Sequence, residues 1–212
     1  MHHPATDTSV IVITIEFVGT AEEYQAQYAE LAQHRPPRCP GCAGREINGH
    51  GSYERWVVAG RVDRDVLIVV RRWRCKNCGG TISMLPSVVH RYRHYALVVI
   101  EVVLRGRLGG GLVLTWRRIE IETGASLRSL RRWCAAFVMN AIRWLSAVWA
   151  VLALAMPSAT MLDVHGTVGD VAQQLLVSSA TLAGWLNPLH AVDAALRVMW
   201  CWGWNMGIGR LV

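Results

Sequence analysis

Apolar positions alternate along the first part of this 212-residue chain and recur at helical spacing along the second. Residues 9–17, SVIVITIEF, are rich in β-branched side chains and read as a buried strand. Thr20 and Glu23 then stand at capping-box spacing, so a helix follows. Arg35-Pro-Pro-Arg38 ends it, because proline lacks the amide that a helix needs. Residues 49–58 and 61–74 read as two strands joined by a turn near Ala59 and Gly60, and TISML at 81–85 as a short third strand stopped by Pro86.

Beyond Pro86 the period changes from two to 3.6. Residues 94–107, HYALVVIEVVLRGR, predict a helix ended by Gly109, Gly110 and Gly111. Thr115 and Ser126 occupy N-cap positions before WRRIEIE and LRSLRRWCAAF, with Gly124 between them. This layout, over residues 115–137, is that of a helix-turn-helix. Leu127, Leu130, Cys134 and Phe137 form the expected buried stripe of its second helix, with Trp116 and Ile119 as partners from the first.

Charge changes this picture by its position. Of 22 Lys and Arg and 15 Asp and Glu, all but two basic and eight acidic residues lie in 35–143, which leaves 20 basic against 7 acidic there. A strongly positive middle between near-neutral or acidic ends suits a polyanion better than a small substrate, and nucleic acid is the first expectation. Every basic residue except Lys76 is Arg, whose planar fork matches phosphate and guanine edges, although arginine bias also follows from a GC-rich coding sequence.

The N-terminus has no basic region ahead of its first apolar run, so an intracellular, cytoplasmic chain is expected. The longest membrane candidate, residues 135–156, is interrupted by Asn140 and Arg143. A spanning helix needs about 20 apolar residues, which favours a buried core helix here.

Two cysteine pairs carry the most specific chemistry. Cys39 and Cys42 stand in CPGC, Cys75 and Cys78 in CKNCG, and 32 residues separate the inner members. Four thiolates on two tight turns match a structural Zn2+ site, and the intervening hairpin brings the turns together. A disulfide is disfavoured in an intracellular chain, and a thioredoxin-like dithiol lacks its βαβ context. Four sulfurs leave no open coordination position, so the ion folds the ribbon and catalyses nothing. Cys134 and Cys201 lie in apolar helical segments and read as packing residues.

The arginines around these motifs are the expected nucleic-acid contacts. Arg71, Arg72 and Arg74 follow one another along the strand into the second cysteine pair, with Arg72 and Arg74 on one face and Arg71 on the other. Arg55, Arg61 and Arg64 add to the same hairpin. In the helix-turn-helix, Ser126, Arg128, Ser129 and Arg132 are placed to reach bases or flanking phosphates, with Arg131 outside the buried stripe and Arg117 and Arg118 near the backbone.

CPGC, HGSYERWV, VRRWRCKNCGGTISMLPS and the following helix pair resemble the N-terminal zinc-ribbon module of bacterial insertion-sequence transposases. They are still more similar to a group of actinobacterial-type proteins that join this ribbon to a helix-turn-helix. The resemblance covers about residues 35–140 and implies binding of double-stranded DNA in a mobile-element setting, with a separate recombinase or transposase subunit as partner. Full transposases continue into an RNase H-like core with three carboxylates on two metal ions. After Glu122 this chain has only Asp163, Asp170 and Asp193, and Asp163-Val-His165 reads as a surface turn, so strand transfer by this chain alone is not expected.

The fold class expected is therefore α+β. A βα lead-in (1–34) precedes a β-hairpin zinc ribbon (35–92), and an all-helical part contains the helix-turn-helix (93–143) and a Trp-rich region (144–212). The tail, with Trp185, Trp200, Trp202 and Trp204, is too apolar to be free and packs on the 144–156 helix or forms a dimer or partner interface. The function expected is a non-catalytic, zinc-dependent DNA-binding protein, accessory to or regulatory for a mobile element. Two rivals are a subunit of a larger nucleoprotein or defence complex, on DNA or RNA, that docks a partner through the tail, and a membrane-associated protein using 135–156.

Overall fold

The computed structural model describes residues 10–59, 65–91, 93–111, 113–155, 167–186 and 191–208, with the backbone alone at 191–194. Arg61, Arg64, most of the expected hairpin turn and the Asp163-Val-His165 turn lie outside them. The fold is mixed α+β: a four-stranded sheet followed by a helical half.

The β-branched lead-in forms β1 (Val10–Ile15), and Thr20 caps α1 (Ala21–Ala26) with both hydrogen bonds of the capping box present. A single turn, α2 (Tyr28–Leu31), completes the lead-in. The long hairpin is β2 (Ile47–Val58) and β3 (Asp65–Cys75), and β4 (Thr81–Pro86) follows. Spatial order is β1-β4-β3-β2, with β1 parallel to β4 and the other pairs antiparallel. The lead-in strand is thus an edge of the ribbon's own sheet.

Side chains close two strand edges. β4 pairs with β3 only over Arg71–Arg74, and beyond that point Gln25 Oε1 accepts the Val69 amide at 2.8 Å while Tyr24 donates its hydroxyl to the Val69 carbonyl. On the outer edge of β1, the Asn205 side-chain amide donates to the Thr14 carbonyl at 3.0 Å, and its oxygen accepts the Thr14 amide at 3.3 Å. Both caps satisfy backbone groups that would otherwise offer a template for strand addition.

The helical half contains α3 (Leu97–Leu108), α4 (Trp116–Thr123), α5 (Leu127–Ala155), α6 (Val168–Leu186) and α7 (Ala191–Asn205). Thr115 caps α4 by accepting the Arg118 amide, and Gly124 ends it in the left-handed region at φ 66°. Ser126 accepts the Ser129 amide at 3.4 Å at the start of α5, which then runs unbroken through residue 143. Its buried stripe includes Leu130, Trp133, Cys134, Phe137, Ala141, Trp144, Leu145 and Val148; Leu127 is only half-buried, so the stripe begins at Leu130.

α5 is the one described helix long and apolar enough to cross a membrane by length and composition. The same stripe, at spacings of three and four, is also what a helix packed along one side against α3 and α6 presents.

The Trp-rich segment is core. Trp200 and Trp204 are buried and stack at 6.1 Å, and the ring of Trp144 lies directly on Gly203, where an added Cβ would come within 2.3 Å of it. Trp202 is half-buried and Trp185 exposed. Both rings of the Trp200–Trp204 stack meet the edge of His90, at 6.0 and 5.2 Å, which joins α7 to the segment after β4. Cys134 and Cys201 are buried, and burial pushes their thiols up to about 11 and about 12.

Candidate metal centre and the arginines around it

Two loops of like geometry carry the paired cysteines. In the first, the Cys39 amide donates to the Gly44 carbonyl at 2.8 Å and the Ala43 amide to the Cys39 carbonyl at 2.8 Å. In the second, the Cys75 amide donates to Gly80 at 3.0 Å and the Gly79 amide to Cys75 at 2.9 Å. The residue after each second cysteine is left-handed: Ala43 at φ 57° and Gly79 at φ 72°. The second loop thus uses glycine where that conformation is free of strain, and the first holds an alanine there at a cost of about 1 kcal/mol. The Lys76 amide ties the loops together by donating to the Glu46 carbonyl at 2.8 Å.

This geometry places all four sulfurs within 4.8 Å of one another. Cys39 Sγ lies 3.7 Å from Cys78 Sγ, and Cys42 Sγ lies 3.6 Å from Cys75 Sγ. Cys39 and Cys75 are buried under Ile47, Trp73, Ile82 and Met84, while Cys42 and Cys78 face solvent. The Cys78 amide points at the Cys75 sulfur and holds that thiol down to about 7. At Cys42 the Gly44 amide acts in the same direction, but the thiols of Cys78 and Cys75 push the other way and leave it at about 12. Four thiolates cannot crowd together without a cation, so this cluster is one that could hold a metal ion.

The hairpin arginines differ in fate. Arg71 lies over the Trp73 ring at 5.2 Å, Arg72 over the Tyr53 ring at 5.9 Å, and Arg74 is exposed. Arg55 is turned inward: it donates to the carbonyl of His90 at 2.8 Å and also to that of Arg93, stapling these two residues to β2. Burial lowers its pKa, and a guanidinium engaged in this way has no free fork for a phosphate. The Arg55 expected at a nucleic-acid surface is therefore a structural residue, and no periodicity signal distinguishes it from its neighbours.

Around α4 and α5, Arg117, Arg128, Arg131 and Arg132 are exposed. Arg118 pairs with Glu122 one turn on. The Trp116 ring sits between Arg107 of α3, at 4.2 Å, and Arg131 of α5, at 6.0 Å. Ser126 is exposed and Ser129 half-buried, and their hydroxyls are 3.2 Å apart. No hydrogen bond or ring contact joins these residues to the hairpin arginines among the described residues.

A family model described as a domain of unknown function (DUF6431) matches residues 39–133. It begins at the first cysteine of the metal site and ends within α5, so it covers both cysteine loops, β2 to β4, α3 and α4. The match leaves β1, α6 and α7 outside. Neither the curated proteins nor the solved structures contain a match to the chain.

Proposed function

We infer that the chain is a non-catalytic, zinc-dependent protein that binds double-stranded DNA, as an accessory or regulatory factor of a bacterial mobile element. The observation that carries this reading is a four-thiol cluster with unneutralised arginines on the strand that enters it and on the capped helix pair that follows. Zinc at about 2.3 Å from each sulfur implies tetrahedral edges of about 3.8 Å, and the 3.7 and 3.6 Å sulfur separations support that ion. With every position filled by sulfur, the ion cross-links the two loops and offers no site for water or substrate.

The α4–α5 pair acts in this reading as a helix-turn-helix. Ser126, Arg128, Ser129 and Arg132 on the first turns of α5 approach bases and flanking phosphates, and Arg117 on α4 meets the backbone. Arg131, held over the Trp116 ring, acts as an oriented cation at the rim, while Arg118 meets the backbone only on exchanging Glu122 for a phosphate. Arg71, Arg72 and Arg74 add phosphate contacts from the ribbon. The mobile-element setting and a recombinase partner rest on the resemblance of the ribbon to insertion-sequence transposases.

Fluorescence anisotropy with duplex DNA at several salt concentrations tests the reading. Affinity should fall steeply with salt, and the variant R128A/R132A should bind about tenfold or more weakly. Unchanged affinity in that variant removes the recognition-helix assignment. Failure of the parent protein to bind any duplex, with tighter binding to single-stranded or double-stranded RNA, moves the reading to RNA.

A further inference from the structure

A cleft beside the second cysteine loop shares Cys75 with the metal centre and none of its lining with the α4–α5 arginines. Between Gly49 and Ser52 the register of β2 against β3 shifts, so His50 and Gly51 have no partner across the ladder, and Gly51 takes φ 73°. A bulge of this kind bends the strand away and re-aims its side chains. The space it opens, about 540 Å³, is lined by Asn48, Gly49, His50, Arg74, Cys75, Lys76 and Gly79.

The lining is one-sided in its chemistry. Asn48 and Arg74 are directly opposed across the ladder, so both side chains leave the sheet on one face. Lys76 reaches the rim from inside the Cys75–Cys78 turn, whose position is fixed by its backbone bond to Glu46. No carboxylate lines the cleft, and no ion pair joins Arg74 or Lys76 to an acid among the described residues. The Arg71 guanidinium lies against Gly49, where an added Cβ would come within 2.6 Å of it, so a third cation borders the wall. No Trp, Tyr or Phe ring lines the cleft.

Two permanent cations, an amide, an imidazole and no opposing acid match one tetrahedral oxyanion. We propose that this cleft is a phosphate-binding subsite, and that it seats one phosphodiester of a DNA strand against the cysteine loop. The assignment rests on the DNA-binding reading above and adds Asn48, His50 and Lys76 to the interface. It also couples the interface to the metal, because the ion holds the loop that presents Lys76 and the strand end that presents Arg74.

The test uses the zinc-loaded full chain and its variant R74Q/K76Q, with K76Q alone as a second variant; both positions are exposed, and zinc content and circular dichroism report folding. Duplex binding is measured across salt, and on duplexes carrying a single uncharged methylphosphonate moved along one strand. The parent should show one position at which the neutral linkage weakens binding about tenfold, and R74Q/K76Q should lose sensitivity there while its salt slope flattens by about one. An unchanged slope and an unchanged methylphosphonate profile in both variants overturn the cleft assignment and leave the helix-turn-helix reading intact. Absence of duplex binding by the parent overturns both. A His50 ring-proton shift on adding inorganic phosphate, with no change in duplex binding between parent and variants, assigns the cleft to a free phosphate and overturns the DNA-backbone source.

Discussion

The two halves of this molecule are held by different means. The helical half has a continuous core that runs from Leu97 to Trp204 and includes the buried rings of Trp133, Phe137, Trp144 and Trp200. Under the cysteine loops the apolar cluster is small: Cys39, Ile47, Trp73, Cys75, Ile82 and Met84, with Ile11, Ile13 and Ile15 against it. The far end of the hairpin packs in a separate cluster with Phe17, Tyr24, Val57, Ile68 and Val70, so it is the cysteine loops, over the small cluster, that most need a cross-link between their sulfurs. The difference teaches that an ion at the four sulfurs, as proposed above, would govern the loops and leave the helical core to its own packing.

The largest effect that would sharpen this contrast is removal of the ion. Structural zinc sites are worth about 10 kcal/mol or more in small domains, so chelation, or Cys75→Ser, should melt the loops and the β2–β3 ends while helicity persists. Hydrogen exchange mapped along the chain reads this directly, and loss of protection in α5 together with Cys75 would erase the contrast. The pH dependence follows from the same sulfurs. The metal-free cluster holds protons, with the Cys42 thiol at about 12 and that of Cys75 at about 7. Bound sulfurs are thiolates, so their pKa is depressed in the loaded state. Ion retention is therefore strongest at alkaline pH and is lost as pH falls, which zinc release into a chromogenic chelator measures.

The converse perturbation is Trp144→Ala. It empties the space between α5 and Gly203 and should cost about 3 to 5 kcal/mol in chemical denaturation. Zinc stoichiometry should stay unchanged, and an equal loss of metal would show the halves to be one cooperative unit.

A smaller effect probes the seam. Asn205→Ala leaves the Thr14 amide on the β1 edge without its cap and the Thr14 carbonyl with only the Cys201 thiol, at about 1 to 3 kcal/mol. Exchange at Thr14 should accelerate while the Trp144 region is unaffected. The smallest change has the opposite sign: Ala43→Gly relieves the left-handed alanine and should stabilise the zinc-loaded loop by up to about 1 kcal/mol, less the entropy glycine gains in the unfolded chain. A destabilised A43G protein would mean that the first loop differs in conformation from the second.

Much of this architecture was legible in local sequence. The Thr20–Glu23 capping box, the Thr115 and Ser126 caps, the Gly124 stop and the cysteine pairs are each defined within a few residues, and short-range chemistry decides them. Hairpin alternation located β2 and β3 to within a few residues, because one face of each strand must be apolar. The metal cluster was legible for the same reason: two short Cys-x-x-Cys loops of like geometry need only a hairpin to meet.

What only the tertiary structure decided depends on partners far apart in the chain. Asn205 reaches Thr14 across nearly the whole sequence, and nothing near either residue marks the pair. Trp200 and Trp204 became core because α7 packs on α6, on the Trp144 ring of α5 and on His90, a packing outcome that composition leaves open. Arg55 reads like Arg72 or Arg74 in the sequence, but the carbonyls of His90, Arg91 and Arg93 stand before its guanidinium. Local propensity follows from each residue's own backbone and near neighbours, whereas burial and the direction of a long side chain follow from what the rest of the chain brings to it.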